Sequence, residues 1–236
     1  MTQKPTRSAA TTPSAGARGY GSSVPPVEEL ARSPAPAGPA AGGRRERRRR
    51  EIRDRLYDTA IELFLEQGYE RTSMDEIADR ADVARTTVFN HYPRKFEFLN
   101  EWGARRRAKV AAELTRSHLN DKPIDVVLAS YMRLLARLNV EHRAETKELM
   151  PASLAFSLSR SPMASIFADY IQRAQDRGEV RGEVDPHQAG EMLASTYFAT
   201  IIRWADEDPP AFDLTEALTG SARLLLQGIG IPGQEG

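Results

Sequence analysis

The stretch Ser73–Tyr92, SMDEIADRADVARTTVFNHY, holds two short helical patterns separated by a very short connection. Ser73 and Glu76 have the spacing of a capping box, in which the serine oxygen accepts a backbone N–H while the glutamate reaches back to the cap. A short helix is therefore predicted after Ser73, and a second from Arg85 to about Tyr92, after the connection Asp82–Ala84. Two helices joined so tightly are the sequence form of a helix-turn-helix, whose second helix enters the DNA major groove.

The outer side of the second helix is predicted to carry the side chains that read DNA. Its outward-facing residues are expected to be Arg85, Thr86, Thr87, Asn90 and His91. Val88 is expected to face the first helix. Arginine, asparagine and threonine have the geometry for guanine, adenine and thymine-methyl or phosphate contacts. On these residues alone, a helical hairpin with a solvated polar face remains an equally good interpretation.

Helical spacing continues on both sides of this segment. Apolar residues recur three and four apart from Arg44 onward, and alternating β-branched runs are missing, so the fold class is predicted to be all-α. A first helix is predicted to end at Gly68 in a left-handed cap, and a fourth to run from Pro93 to about His118. Later helices are predicted to begin at Pro123, near 145, at Ser161-Pro162, after Asp185 and after Asp213. About nine helices are expected in all.

The 33 basic and 33 acidic residues give a net charge of zero, but they are unevenly placed along the chain. Residues 1–43 carry a net charge of +2, residues 44–118 of +4 and residues 119–236 of −6. The run RRERRRREIRDR at 44–55 places eight arginines against three acids, so a basic edge leads into the first helix. That edge suits a polyanion and the acidic C-terminal half does not, which indicates two separate tasks.

Composition excludes several classes of protein. The 236 residues include no cysteine, which removes disulfides and thiolate chemistry. No stretch approaches the roughly 18 to 20 apolar residues of a membrane helix, and the N-terminus lacks the apolar segment of a secretory signal, so a cytoplasmic location is expected. Residues 1–43 hold seven of the 15 prolines and six of the 16 glycines, which predicts a disordered tail.

The segment LYDTAIELFLEQGYERTSMDEIADRADVARTTVFNHYPRKFEFL, Leu56–Leu99, resembles the N-terminal DNA-binding domain of the tetracycline-repressor (TetR) family of transcriptional regulators. The resemblance is specific at Gly68-Tyr69, Thr72-Ser73-Met74, Ala81-Asp-Val83 and Asn90-His-Tyr-Pro-Arg-Lys95. It implies a DNA-binding domain over 44–95 and a C-terminal domain over 96–236 that dimerises and binds a small molecule. The implied function is a repressor that binds a near-palindromic operator as a homodimer and is released by a mostly apolar effector.

The resemblance also assigns residues to DNA contacts. Thr72, Ser73 and Lys95 match the family's phosphate contacts, and the arginine run that begins at Arg44 and Arg45 resembles the basic extensions of some members. The implied DNA-binding set is Arg44, Arg45, Thr72, Ser73, Arg85, Thr86, Thr87, Asn90, His91, Tyr92 and Lys95.

Three positions depart from the family pattern. Asp82 stands where the turn usually has glycine, but aspartate enters the left-handed region more readily than most residues, so the turn is expected to be kept. Ala84 replaces a capping Ser or Thr, which forfeits about 1 kcal/mol. Phe89 replaces a common tyrosine, so a phosphate contact through a hydroxyl is lost.

Two sets of apolar residues in the C-terminal half are candidates for function, and each could instead be core. The predicted dimer interface consists of Leu193, Tyr197, Ile201, Trp204, Leu218 and Leu225. The predicted effector site consists of Trp102, Tyr131, Leu135, Met150, Leu154, Phe156, Phe167, Tyr170 and Phe198. Small residues on the last two helices, such as Gly190, are expected to let helices approach closely.

Catalytic and metal chemistry have little support in the sequence. The four histidines are scattered at 91, 118, 142 and 187, without metal-ligand spacing, and no phosphate-binding glycine loop or nucleophile elbow occurs. No metal, no cofactor and no catalytic residue is therefore predicted. An enzyme, or an interaction protein that has kept the fold without DNA binding, remains the alternative.

Overall fold

The computed structural model describes residues 43–119, 121–157 and 161–230, with the side chains of 155–157 left out. The predicted tail, apart from Gly43, lies outside the described residues. Within the described ranges the chain forms nine helices: α1 Arg44–Gln67, α2 Met74–Arg80, α3 Arg85–His91, α4 Phe96–Arg116, α5 Ile124–Glu141, α6 Arg143–Ser157, α7 Pro162–Asp176, α8 Pro186–Asp206 and α9 Leu214–Ile229. The all-α prediction is confirmed. None of these helices combines the length and apolarity needed to cross a membrane.

The first three helices enclose a small aromatic core. Phe64 of α1 lies 5.0 Å from Tyr69 and 6.2 Å from Phe98, measured between ring centroids, and both pairs are edge to face. Tyr92 stacks on Phe98 with centroids 3.8 Å apart. These rings are almost completely buried, so they tie α1 to the segment after α3 and to the start of α4.

Local signals set the ends of α2 and the turn after it. The Ser73 hydroxyl accepts the Glu76 N–H while the Glu76 carboxylate accepts the Ser73 N–H, which confirms the capping box. Asp82 has φ of 49°, so aspartate does take the left-handed position where family members usually have glycine. Gly68 has φ of 93° and ψ of 148°, a positive φ but not the left-handed helical cap that was predicted.

Helix α4 is shorter than the sequence predicts at both ends. It begins at Phe96 instead of Pro93, because the Glu97 N–H bonds to the Arg94 carbonyl three residues back and not to the carbonyl of Pro93. It ends at Arg116 because His118 adopts φ of 51°, which a right-handed helix cannot accommodate.

The C-terminal half is built around α5, α7, α8 and α9. Helices α7 and α8 cross very closely at Gly190, where an added Cβ would lie 2.5 Å from the Ala164 carbonyl oxygen and 2.8 Å from the Ala168 nitrogen. Only glycine fits such a crossing without displacing the backbone. The close approach predicted for the small residues of α8 therefore occurs at Gly190 within one chain. Helix α9 packs against α5 and α8 on the other side.

Candidate nucleic-acid interface and effector domain

Helix α3 presents a polar surface to solvent. Arg85, Thr86 and Asn90 are exposed and Thr87 and His91 are half-buried, while Val88 is fully buried, as its predicted inward orientation requires. Phe89 is 37% exposed on the same helix, and the Arg85 guanidinium lies 5.5 Å from its ring centroid. Sequence reasoning noted only the hydroxyl missing at Phe89, although the i, i+4 spacing to Arg85 could have placed the ring on the outer face.

Arg85 is paired across the helix-turn-helix. Its Nε lies 2.8 Å from Oδ1 of Asp75 on α2, with both side chains more than half exposed. Exposed pairs of this kind contribute only about 0 to 1 kcal/mol, so Arg85 can exchange the carboxylate for a base edge or a phosphate at little cost.

The predicted phosphate contacts Thr72 and Ser73 differ in orientation. Ser73 is exposed, and its hydroxyl also donates to the Glu76 carboxylate at 2.8 Å. Bonding to the Ser73 backbone and side chain holds the pKa of Glu76 below its usual value. Thr72 is buried and its hydroxyl donates to the Gly68 carbonyl at 2.9 Å. The Thr72 side chain therefore stabilises the loop before α2, and its role as a phosphate contact stays a prediction.

Lys95 also faces the loop instead of solvent. Its Nζ donates to the carbonyls of Tyr69 at 2.7 Å, Thr72 at 3.0 Å and Glu70 at 3.3 Å, and lies 4.3 Å from the centroid of the Tyr69 ring. An ammonium has three protons to donate, and all three are used here. Lys95 thus acts as a clamp on residues 69–72, and its role as a phosphate contact stays a prediction.

Tyr92 lies inside the domain and not on its surface. Its hydroxyl donates to Glu101 Oε2 at 2.8 Å, and Arg53 covers its ring with the guanidinium carbon 4.6 Å from the centroid. Burial, followed by the neighbouring Glu101 carboxylate, raises the pKa of Tyr92. Tyr92 therefore has a structural role in this domain, and its contact with DNA stays a prediction.

The arginine run forms the exposed first turns of α1, with Arg44 and Arg45 at its start. Arg53, further along, donates to the His91 carbonyl at 3.2 Å and to Glu101 at 2.5 Å. Burial and the positive charges of Arg49 and Arg53 hold the pKa of His91 below its usual value. The basic edge predicted from the sequence is thus continuous with the end of α3.

The predicted effector residues separate into two groups. Tyr131 lies 5.5 Å from Phe167 and 5.9 Å from Tyr170, in edge-to-face contacts between α5 and α7. Trp102 lies apart from them and donates from Nε1 to Glu145 at 2.9 Å. Leu135 and Met150 are buried, Leu154 and Phe198 are half-buried, and the Phe156 side chain lies outside the described residues.

The predicted dimer residues are mostly core. Leu193, Tyr197, Ile201, Trp204 and Leu218 are at most 4% exposed within the single chain, and Leu225 is half-buried. The same apolar stripes therefore contribute to the interior of the single chain, and their assignment to a dimer interface stays a prediction. The exposed apolar residues beside them are Met192, 56% exposed, and Leu224, 70% exposed. They line a groove of about 600 Å³ between α8 and α9.

One contact between the two halves has no signal in the sequence. The Glu148 carboxylate of α6 accepts the backbone N–H of Tyr69 at 2.8 Å, across 79 positions of sequence. The loop 69–72 is thus held by Glu148 on one side and Lys95 on the other. Among the described residues, no group of three or more His, Asp and Glu side chains could hold a metal ion.

Comparison with known proteins gives a consistent result. The family of bacterial regulatory proteins called tetR matches residues 56–101. The transcriptional regulator TcmR of Streptomyces glaucescens is 30% identical over 139 residues, which are 58% of this chain and 60% of that protein. The repressor KstR of Mycobacterium tuberculosis is 23% identical over 75% of this chain and 81% of its own. The structure of the TetR-family repressor FadR of Thermus thermophilus with lauroyl-CoA is 28% identical, covering 78% of this chain and 98% of that one, with a TM-score of 0.63.

Proposed function

The chain belongs to the tetR family of bacterial regulatory proteins, and from that premise we propose that it is a ligand-responsive repressor. In this proposal it binds a near-palindromic operator as a homodimer and is released by a small, mostly apolar molecule. The observation that carries the proposal is α3, whose polar face is exposed beside a basic helix start while Val88 anchors its other side. The division into domains at 44–95 and 96–236 is part of the same proposal.

The operator is proposed to be read mainly by Arg85, Thr86, Thr87 and Asn90, with His91, Ser73 and the arginines from Arg44 onward close to the phosphates. One short helix reads too few bases for specificity in a genome, and a two-fold symmetric dimer doubles the site. We propose the groove between α8 and α9 as the dimer surface, because it combines exposed Met192 and Leu224 with the half-buried Leu225.

The effector is proposed to bind in the C-terminal half near Tyr131, Phe167 and Tyr170. The FadR structure that this chain resembles holds lauroyl-CoA, a ligand with a long apolar chain, which supports an effector of that character. Two recognition helices must lie about 34 to 36 Å apart, or a multiple, to enter successive major grooves, so a ligand that stabilises another spacing competes with DNA. Helix α4 connects the two halves, with Lys95 before it and Trp102 within it.

The test is to incubate the purified full-length protein with fragments of its own genome and to sequence the DNA that it retains. We expect enrichment of a short sequence with two-fold symmetry, bound by a dimer. Retention of random DNA, or of none, would contradict the repressor and favour an interaction protein that has kept the fold. Once an effector is found, its effect on operator affinity must equal the operator's effect on effector affinity.

A further inference from the structure

Helix α4 carries two adjacent arginines that turn towards the C-terminal half. Arg106 is only 8% exposed. Its Nη2 donates to Asn139 Oδ1 at 2.8 Å and to Thr146 Oγ1 at 3.2 Å. Its Nη1 is buried without a hydrogen-bond partner among the described residues, and the carboxylate oxygen of Glu145 lies 3.8 Å away. One edge of this guanidinium is therefore unsatisfied.

Arg107 has still fewer partners. It is half-buried and forms no hydrogen bond or ion pair with any residue that the structure describes. Its side chain folds back over Gly103, where an added Cβ would lie 2.9 Å from Nη1. The titratable groups that face it are the buried phenols of Tyr131 on α5 and Tyr197 on α8, and burial lowers its pKa. A guanidinium nevertheless stays protonated in proteins.

The balance of charge in this region is positive. Two guanidinium groups are accompanied by the single carboxylate of Glu145, which also accepts the indole N–H of Trp102 and faces His142 Nδ1 at 3.2 Å. Burial raises the pKa of Tyr197, and the positive charges of both arginines oppose that rise; the Tyr197 hydroxyl accepts a hydrogen bond from Asn139 at 3.2 Å. Arg106 is withdrawn from water with its Nη1 unsatisfied, and the half-buried Arg107 adds a second positive charge beside it, so such a site favours an anionic partner.

From these contacts we propose that the effector is an amphipathic oxyanion, a carboxylate or phosphate joined to an apolar body. Its charged group pairs with the Arg107 guanidinium beside the free edge of Arg106. Its apolar part lies against the aromatic group of Tyr131, Phe167 and Tyr170. This inference rests on the proposed function in that it concerns the effector of the same regulator, but it predicts a chemical class that the apolar residues alone do not.

The experiment measures binding to the full-length protein by calorimetry without DNA, so that it does not depend on operator binding. The probes are decanoate and decanol, which share a chain and differ in charge, and naphthoate and naphthylmethanol as an aromatic pair. In any pair of which a member binds, we expect the acid to bind at least about tenfold more tightly than its alcohol, a difference of about 1.4 kcal/mol. Decyl phosphate then shows whether a phosphate or a carboxylate is preferred.

Variants assign the preference to a residue. Arg107→Met, and Arg107→Gln if the first does not fold, should bind acid and alcohol with equal affinity. Lys109→Met removes the same charge from an exposed position on the same helix and should keep the preference. The inference would be overturned if the unaltered protein bound acids and alcohols equally or bound no acid. It would also be overturned if the Arg107 variants kept the preference for acids. A failure to retain operator DNA would contradict only the proposed function.

Discussion

The two halves of this protein treat their polar side chains in opposite ways. In the helix-turn-helix, Arg85, Thr86 and Asn90 are exposed, and the polar contacts that shape α2 join residues three positions apart. In the C-terminal half, Asn139 and Thr146 are completely buried and connect α4, α5, α6 and α8 through one network. The proposed DNA contacts therefore lie on a small exposed surface, whereas the proposed effector site lies in an interior whose packing all four helices share.

The largest expected effect tests the packing of that interior. Gly190→Ala places a Cβ 2.5 Å from the Ala164 carbonyl oxygen, so α7 and α8 must separate. We expect a loss of about 3 kcal/mol in the free energy of unfolding, measured by urea denaturation. Gly182→Ala, in open space on the surface, should change it by less than about 0.5 kcal/mol. Equal stability of the two variants would show that the crossing is looser than described.

Arg85→Ala tests the exposed surface. The variant should lose about 1 to 3 kcal/mol of preference at one base pair of the operator, while its unfolding curve stays unchanged because Arg85 is 67% exposed. Binding to all single-base operator variants measures this preference. Arg137→Ala, an exposed arginine on α5, is the matched control. A uniform loss on specific and random DNA would assign Arg85 to phosphate contact instead.

Lys95→Met tests the boundary between the two halves. Removing three carbonyl contacts should destabilise the protein by about 1 to 2 kcal/mol. Operator affinity should fall. A plot of the logarithm of operator affinity against the logarithm of salt concentration should keep its slope, because a Lys95 held by carbonyls does not neutralise a phosphate. Lys109→Met should leave stability and slope unaltered. A slope reduced by about one with unchanged stability would restore the phosphate contact that the family resemblance implies.

The smallest effect concerns the ion pair on the DNA-facing side. Asp75→Asn removes the carboxylate 2.8 Å from Arg85, which frees the guanidinium and removes a negative charge near DNA. We expect operator binding to strengthen by less than about 1 kcal/mol, with the gain reduced at high salt. Glu66→Gln, at another exposed ion pair in the same domain, provides the comparison. Weaker binding of Asp75→Asn would mean that the pair positions Arg85.

Sequence reasoning succeeded where the determining contacts are local. The capping box of Ser73 and the turn at Asp82 depend on residues within a few positions, so their chemistry can be read directly. The all-α class follows from spacing that extends through the chain. The inward orientation of Val88 was likewise predictable, because one helix packed on another has only one buried side.

Sequence reasoning was less specific where one residue type can serve two purposes. Lysine at position 95 fits a phosphate contact and a carbonyl clamp equally well, and the choice depends on Tyr69, 26 positions away. The stripes on α8 and α9 contain enough apolar area for both a core and an interface. Only the packing of α6, α7 and α9 against α8 decides that Leu193 and Tyr197 are interior while Met192 is exposed.

The contact between Glu148 and the Tyr69 N–H bears on the design of hybrid regulators. Exchange of a DNA-reading module between relatives treats the chain as two cassettes joined at the start of α4. Here a cassette that ends at Lys95 would keep its own clamp but lose the acceptor that α6 supplies to its loop. A graft would therefore need a recipient with a carboxylate at the place of Glu148, so that compatibility is set by one residue far from the splice point.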